Sequence, residues 1–472
     1  MPHPLTFFSL FLATVAAASF SALAIVRIRK GRIPSLLMLT RPSFLLILFT
    51  SAPFAFGLIL FLQGSFSLIL TILLTSLMFT LFYNFLIIPL AIYHKSQEDK
   101  PGEPLIYPSL TILVPAYNEE KCIARTVETL LEAYYPEKKE IIVVDDGSTD
   151  RTYEIARSYA WRGVKVLHRP NGGKAAALNY GQLFARGEVV VTVDADSIIG
   201  RRALVELVKM FQDLRVNAVC GNVKVLNRTN LLTKCQALEY IISINVVRRA
   251  LDALGTVTVV PGVLGAFRRR VIRGGGLYDK DTLTEDFDIT VKTLKQGSVV
   301  QASSHALAYT EAPESLGDLI KQRLRWYRGN FQTLSKHKDA FVNPRFGFLH
   351  SLSFPFMLLS IVFIPFADFI VIASAILGIL EGAVIQVLLF LSFFILVQFL
   401  LSVLSIQLDG EDMKLAIYAP LFVLGYKQFC EFLTIKSIFD VLLKRKMEWG
   451  RVKRIDLQPT LKVSFKRSSA SR

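Results

Sequence analysis

Cysteine is scarce in this chain of 472 residues, and no two cysteines have the spacing of a metal or redox motif. The four cysteines stand singly, at Cys122, Cys220, Cys235 and Cys430, and none belongs to a C-x-x-C pair. The sequence therefore supports neither a zinc site nor a disulfide framework. We expect all four thiols to be buried.

Two nucleotide-binding signatures are also missing. No G-x-G-x-x-G follows the first predicted strand, and no G-x-x-x-x-G-K-[ST] occurs anywhere, which disfavours dinucleotide and P-loop sites. Lysine and arginine outnumber the acids 54 to 38, for a net charge of +16. The basic residues gather beside apolar segments, as in residues 444–454, where anionic headgroups attract them. We therefore predict membrane lipids, and no nucleic acid, as partners.

Charge is nearly absent from the first 93 residues. Three apolar runs, at residues 5–26, 44–62 and 66–93, each match the roughly 20 residues that a membrane-spanning helix needs. The positive-inside rule places the loop between the first two runs in the cytoplasm, so the third run returns the chain there. A cleaved signal at residues 1–24 is the alternative, disfavoured because its start lacks Lys and Arg. The charged side chains of this region are Arg27, Arg29, Lys30, Arg32 and Arg41.

Composition divides the chain into five segments. We predict membrane helices in residues 1–95, a polar domain in 96–313, an amphipathic interface helix in 314–345, further transmembrane and interfacial helices in 346–443, and a basic cytoplasmic tail in 444–472. The number of C-terminal spans stays open between two, three and four. Two or four would keep the basic tail on the cytoplasmic side.

The polar domain has the pattern of an α/β fold. Short β-branched runs alternate with amphipathic stretches between residues 110 and 193, which predicts a mostly parallel, doubly wound sheet. Ligands of such sheets bind beyond the carboxyl ends of the strands. Loops with polar side chains follow three predicted strands, at residues 115–120 (PAYNEE), 145–148 (DDGS) and 194–196 (DAD). We expect these loops to form one crevice.

The acidic motifs are candidates for metal and acid–base chemistry. In an extended D-x-D segment, Asp194 and Asp196 project to the same side, and their oxygens suit Mg²⁺ or Mn²⁺, with a diphosphate completing the coordination. Asp145 and Asp146 are a further candidate pair, but a simple turn and helix cap would explain them as well as a functional role.

A second acidic pair, Glu285 and Asp286, precedes a helix-like run. One of the two carboxylates could simply cap that helix. Alternatively, the charge of Glu285 raises the proton affinity of Asp286, which makes Asp286 a candidate general base. Lys174 ends an N-G-G-K segment that suits an anion at a helix N-terminus, although an ordinary turn has the same composition.

The segment QRLRW (residues 322–326) lies in a predicted helix over residues 314–334. Gln322, Arg325 and Trp326 share one face, where a large aromatic ring is not explained by amphipathic packing. We expect this face to offer a phosphate-binding arginine and a sugar-stacking indole to the crevice. A basic interfacial helix with an anchoring tryptophan is the alternative. The opposite, apolar face consists of Leu316, Ile320, Leu324, Tyr327, Phe331 and Leu334.

The motifs VVDDGS, DAD, TED and QRLRW, in this order between membrane segments, resemble those of the processive family 2 glycosyltransferases, the membrane synthases of cellulose, chitin, hyaluronan and poly-N-acetylglucosamine. The resemblance covers about residues 110–329 and implies a GT-A fold and an inverting transfer. It implies that the uridine is held by Tyr117, Glu119 and Asp145 or Asp146, the nucleotide or its phosphates by Lys174, the metal diphosphate by Asp194 and Asp196, and the donor phosphates and acceptor sugar by Gln322, Arg325 and Trp326. Asp286, beside Glu285, is the implied base.

TED followed by FDIT is most similar to the poly-N-acetylglucosamine synthases within this family. The resemblance thus implies UDP-N-acetylglucosamine as donor, a β-linked polysaccharide as product, assisted translocation of that product, and a multi-pass plasma-membrane protein with a cytoplasmic catalytic domain. Two alternatives stay open: a single transfer onto a lipid, since glucosylceramide synthases share the four motifs, and a catalytically silent scaffold or transporter. Assembly into an oligomer also stays open.

Overall fold

The computed structural model describes residues 53–55, 57–64, 66–98, 102–104 and 106–445. The first predicted span, the start of the second and nearly all of the basic tail lie outside these residues. All four cysteines lie inside them, and all four are free and buried, as predicted.

A mixed eight-stranded sheet forms the centre of the polar domain. Its strand order is β3-β2-β1-β4-β7-β6-β8-β5, with β3, β2, β1 and β4 parallel. Strand β7 runs antiparallel to its neighbours β4 and β6, and β5 runs antiparallel to β8. Strands β6 and β8 pair in parallel and have the same direction as the first four strands, so the predicted mostly parallel sheet is confirmed. The strands are β1 (Leu110–Ala116), β2 (Lys139–Asp145), β3 (Val164–His168), β4 (Val189–Thr192), β5 (Ile198–Ile199), β6 (Val216–Val225), β7 (Gly265–Arg268) and β8 (Val299–Thr310).

Helices cover the sheet and connect it to the membrane segments. The β-branched strands have alternating side chains on two faces, each packed in its own apolar core, which explains their nearly continuous apolar runs. The helices are α1 (Leu68–Lys95), α2 (Ile123–Glu132), α3 (Thr152–Arg157), α4 (Lys174–Phe184), α5 (Ala203–Val208), α6 (Leu231–Glu239), α7 (Val246–Asp252), α8 (Arg269–Gly274), α9 (Glu285–Lys295), α10 (Leu316–Lys336), α11 (Asp339–Val342), α12 (Phe354–Leu358), α13 (Ile364–Leu380), α14 (Val384–Leu408), α15 (Ala419–Leu421) and α16 (Lys427–Leu442).

Three helices of the described chain are long and apolar enough to cross a membrane: Leu68–Lys95, Leu349–Leu380 and Val384–Leu408. The second contains Pro355 and Pro365, and proline inside a helix commonly kinks or breaks it. The structure instead has a π-helical turn just before each proline, at Leu349–Ser353 and Leu359–Phe363. A π turn accommodates the missing proline N–H without interrupting the helix.

The helical hairpin α13–α14 returns the chain to the sheet. At the end far from the sheet, Ser67 Oγ donates to Glu381 Oε2 at 3.3 Å, joining the start of α1 to the hairpin turn. At the near end, Asp409 follows α14 and accepts from Lys224 Nζ of β6 at 3.0 Å. The polar domain therefore lies at the end of these helices where α1 ends and α14 ends.

Candidate active site

The loops that follow β1 and β2 pack against each other. Asn118, in a left-handed conformation with φ of 55°, donates from its backbone N–H to Ser148 Oγ at 2.9 Å. The backbone N–H of Glu119 donates to Thr152 Oγ1 at 2.7 Å. These contacts bring the predicted nucleotide-binding loops together, with Tyr117 and Glu119 at the carboxyl edge of the parallel strands.

Asp145 and Asp146 are both buried but differ in their partners. Asp146 accepts the backbone N–H groups of Gly172 and Gly173, the latter at 2.7 Å, and pairs with Arg169. It therefore fixes the loop that leads to Lys174. Asp145 Oδ2 lies 2.7 Å from His168 Nδ1, whereas its buried Oδ1 has no hydrogen-bond partner among the described residues.

Lys174 is the centre of a cluster of carboxylates. Its Nζ lies 2.6 Å from Asp194 Oδ1 and 3.1 Å from Glu285 Oε1. Burial by itself lowers the pKa of the Lys174 amine, but the charges of Asp194, Glu285 and Asp286 raise that pKa above its ordinary value. Lys174 therefore stays protonated, and it joins the NGGK, DAD and TED motifs in one site.

Gly262 explains how the chain approaches this cluster so closely. A Cβ added to Gly262 would lie 2.8 Å from Asp194 Oδ1 and closer still to Lys174 Nζ, so the ends of these two side chains would have to move. The glycine therefore lets the segment before β7 pass over the acids without displacing the Lys174–Asp194 pair.

Asp286 has the proton affinity that a general base requires. Burial and the neighbouring Glu285 charge raise its pKa to about 6, although Lys174 and the Phe287 N–H lower it. The Phe287 N–H donates to Asp286 Oδ1 at 2.8 Å and so orients the carboxylate. A base with a pKa near 6 is mostly deprotonated at neutral pH and still able to accept a proton.

Asp196, the second acid of DAD, has different surroundings from Asp194. Its side chain is buried, and Ser197 Oγ donates to its Oδ1 at 3.3 Å. The charge of Asp196 contributes to the raised pKa of Tyr240, which burial in particular brings to about 12. The loop itself is fixed by Thr126 Oγ1, which donates to the Ala195 carbonyl at 2.8 Å.

The predicted QRLRW helix is present as α10, and its second half holds the TED loop. A Cβ on Gly329 would lie 2.6 Å from Thr284 Cγ2, so the helix and the loop are in direct contact there. Gln332 Oε1 accepts from the Leu283 N–H at 3.2 Å, and the hydroxyls of Thr284 and Thr333 are 3.2 Å apart. Helix α10 thereby fixes the residues just before Glu285 and Asp286.

The apolar stripe predicted for α10 is not its most buried face. Leu316 is 52% exposed, whereas Arg323 is fully buried and Arg328 is 8% exposed. Burial of arginine is tolerated here because Glu239 and Asp440 pair with Arg323 and Arg328, respectively. Sequence periodicity does not reveal such pairs, because both partners are far away in the chain.

Gln322, Arg325 and Trp326 all lie partly buried on α10. The Trp326 ring centroid is 6.4 Å from that of Tyr240, whose pKa is raised in part by the charge of Asp196. The predicted acceptor face is thus packed against Tyr240. Arg323 belongs to the same group of side chains, although the sequence did not indicate it.

A second acidic cluster lies on the other side of α9. Ligand oxygens of Asp279, Asp281 and Asp288 lie within 4.8 Å of one another, as in a metal site. Lys336 Nζ, however, lies 2.6, 2.7 and 2.9 Å from these three acids. An ammonium group therefore occupies the position that a cation would take.

The sheet, the strand-end acids and the flanking apolar helices define an α/β domain with a GT-A-like fold. Residues 111–275 match the family model described as glycosyl transferase family 2. That match covers the strands and loops with the DDGS, NGGK and DAD motifs, and it ends before TED and QRLRW.

Two curated relatives are poly-beta-1,6-N-acetyl-D-glucosamine synthases. Residues of this chain are 34% identical over 228 positions to poly-beta-1,6-N-acetyl-D-glucosamine synthase of Staphylococcus aureus (strain COL), covering 48% of this chain and 55% of that protein. The Staphylococcus epidermidis synthase of the same name is 31% identical over 257 positions, covering 52% and 62%. The chain thus spans little more than half the length of the first of these relatives.

A solved structure shares the fold. A mannosyltransferase from Pyrobaculum calidifontis, solved in complex with GDP-Man and Mn²⁺, aligns with a TM-score of 0.58 at 21% identity, over 80% of this chain and 100% of that one. At this identity the likeness concerns the fold alone.

Proposed function

We propose that this chain is a membrane glycosyltransferase that builds a β-linked polysaccharide from a UDP-sugar, with UDP-N-acetylglucosamine as the donor. The observation that carries the proposal is the carboxylate cluster around Lys174, which contains a candidate base at the strand ends of a family 2 domain. The names of the two staphylococcal relatives support the choice of sugar and of a polymeric product.

The uridine of the donor would lie in the crevice between the loops after β1 and β2. The buried, unpartnered Oδ1 of Asp145 is suited to accept the uracil N–H, and it favours Asp145 over Asp146 for this role. Asp146 instead holds the loop before Lys174. Tyr117 and Glu119 would complete this part of the site, and the Lys174 ammonium would contact the diphosphate.

Asp194 and Asp196 would hold a divalent cation, Mg²⁺ or Mn²⁺. The charge near Asp194 favours such an ion, since Asp194, Glu285 and Asp286 surround Lys174 and the single ammonium balances only one of their charges. When bound, the ion would neutralise charge on the departing diphosphate.

Asp286 would take the proton from the acceptor hydroxyl. The freed oxygen forms a bond to the anomeric carbon while the bond from that carbon to the phosphate oxygen breaks, and UDP leaves with the bonding electrons. Attack opposite the leaving group inverts the anomeric centre and yields a β-linkage. The Phe287 N–H bond keeps the Asp286 carboxylate in one orientation during this transfer.

The acceptor sugar would bind at Gln322, Arg325 and Trp326, with the indole as a stacking platform. The adjoining membrane helices suit a polymer that leaves through the membrane as it grows, in a multi-pass plasma-membrane protein whose domain faces the cytoplasm. A single transfer onto a lipid uses the same chemistry and stays the alternative. A silent scaffold is disfavoured because all the acidic motifs are intact.

Product analysis separates these functions. Purified protein in lipid vesicles, supplied with UDP-N-acetylglucosamine and Mg²⁺ or Mn²⁺, is expected to release UDP and to form material that sizes as a polymer. A lipid that carries one sugar would overturn the processive proposal. Absence of UDP release with all common UDP-sugars would favour the scaffold.

A further inference from the structure

One buried guanidinium contacts two of the side chains assigned to the acceptor. Arg323 is fully buried, and its Nη1 donates to the side-chain oxygen of Gln322. Its Cζ lies 4.3 Å from the centroid of the Trp326 ring, in the geometry of a cation–π contact. The orientation of both residues on α10 therefore depends on Arg323.

Arg323 is in turn held by two other parts of the chain. Its Nε donates to Glu239 Oε1 of α6 at 3.2 Å, and its Nη2 pairs with the second oxygen of Glu239. The same Nη2 lies 3.3 Å from the hydroxyl of Tyr426, which donates to Glu239 Oε2 at 2.6 Å. A guanidinium with bidentate and stacking partners has a single favourable position.

Tyr426 lies where the C-terminal apolar segment changes direction. The π-helical turn Phe422–Tyr426 has non-helical backbone at Leu424 and at Gly425, whose φ is 121°. The next residue, Lys427, pairs with Asp368 of α13 at 2.7 Å. A displacement of this bend would therefore move the hydroxyl that holds Glu239 and Arg323.

We propose that Arg323, together with Glu239 and Tyr426, is the positioning unit for the acceptor sugar and couples it to the bend at Gly425. Arg323 has no role of its own in the chemistry. It sets the plane of the Trp326 indole and the direction of the Gln322 amide. This proposal rests on the proposed function, because it assumes that a sugar stacks on Trp326.

Two conservative variants test the unit by kinetics. Tyr426→Phe removes one hydroxyl and keeps the ring, and Arg323→Lys keeps the charge but loses the planar, bidentate group. We expect both to shorten the polymer about tenfold, since a hydrogen bond to a charged group is lost. The KM for UDP-sugar is expected to stay within about twofold, because the donor loops are untouched. Equal loss of donor affinity and polymer length would overturn the proposal in favour of a merely structural role.

The chain offers matched controls for both changes. Arg162 pairs with Glu128 at 2.7 Å and lies 5.9 Å from the Trp161 ring, but this arrangement is exposed and far from α10 in the chain. Tyr107 donates to Glu103 at 2.7 Å, also at the surface. Arg162→Lys and Tyr107→Phe are therefore expected to leave polymer length unchanged.

The fluorescence of Trp326 tests the Arg323 contacts without depending on enzyme activity. In a background with Trp161→Phe and Trp449→Phe, Trp326 is the sole tryptophan. We expect Arg323→Lys and Tyr426→Phe to shift its emission and to increase its quenching by acrylamide, and Arg162→Lys to change neither. Unchanged Trp326 fluorescence in both variants would overturn the positioning role. Wild-type protein that releases no UDP would contradict the proposed function instead, while the fluorescence comparison still decides on the Arg323 contacts.

Discussion

Two clusters in this protein each have three carboxylates around one lysine, but the pKa of a buried aspartate is raised in one and lowered in the other. Lys174 lies among Asp194, Glu285 and Asp286, and the pKa of Asp286 is raised to about 6, chiefly by burial and by Glu285. In the second cluster, around Lys336, the pKa of Asp288 is lowered to about 2. Burial there would raise it, but the contacts with His337, Lys336 and Lys292 outweigh burial.

The difference lies in the number of cations. Lys292 Nζ is 2.6 Å from Asp279 and 3.3 Å from Asp288, and His337 Nε2 is 2.8 Å from Asp288. Two lysines, Lys292 and Lys336, therefore face the three acids of the second cluster, and these contacts fix α9 against α10. The Lys174 cluster keeps surplus negative charge, so it can attract a cation and retain a base. Proximity of acids alone would select the second cluster as the metal site, whereas we propose that the metal binds at the Lys174 cluster.

The largest effect is expected for Asp286→Asn. The amide cannot accept the acceptor proton, so UDP release should fall about 10³-fold, in the range of general-base contributions. UDP affinity should stay near the wild-type value, because Asp286 has no proposed donor contact. Asp281→Asn, an exposed acid of the second cluster, is the matched control. Retained turnover in Asp286→Asn would remove that residue from the base role.

The next effect concerns stability rather than catalysis. Because the pKa of Asp288 is about 2 in the folded protein, its ionised form stabilises the fold above the unfolded pKa. Asp288→Asn should cost about 2 kcal/mol at neutral pH and lower the thermal midpoint by a few degrees. The difference from wild type should shrink as the pH falls from about 4 towards 2. An equal midpoint at neutral pH would show that the second cluster does not stabilise the protein.

The smallest effect is a shift in the pH profile. UDP release should decline as the pH falls through about 6, because protonated Asp286 cannot act as a base. Glu285→Gln removes a charge that raises the pKa of Asp286, so the acidic limb should move down by about one unit. Initial rates at saturating donor, measured across the pH range, give the acidic limb of the wild type and that of the variant. A limb that stays in place in the variant would contradict the coupling of the two acids.

Local sequence patterns were sufficient to predict the strands and the helix that carry the candidate site. The β-branched runs predicted β1 to β4, and the 3.6-residue period predicted α10 within two residues at each end. The loops after β1 and β2 meet as expected, since neighbouring parallel strands end at one edge.

Contacts between distant segments could not be predicted. Glu239, Arg323 and Tyr426 come from three separate stretches of the chain, and nothing in their spacing indicates that they pair. The same holds for Lys174 and Glu285. The buried face of α10 was missed for this reason, because a paired arginine is buried where periodicity expects leucine.

The most direct test measures Mn²⁺ binding in the presence of UDP by electron paramagnetic resonance. It shows which of the two clusters binds the metal. Wild-type protein and the Asp279→Asn variant are predicted to bind Mn²⁺ with the same affinity, because two lysines, Lys336 and Lys292, already face the acids of that cluster. Asp194→Asn is predicted to lose the bound signal. Loss of Mn²⁺ in Asp279→Asn with full binding in Asp194→Asn would contradict the assignment of the Lys174 cluster as the active site.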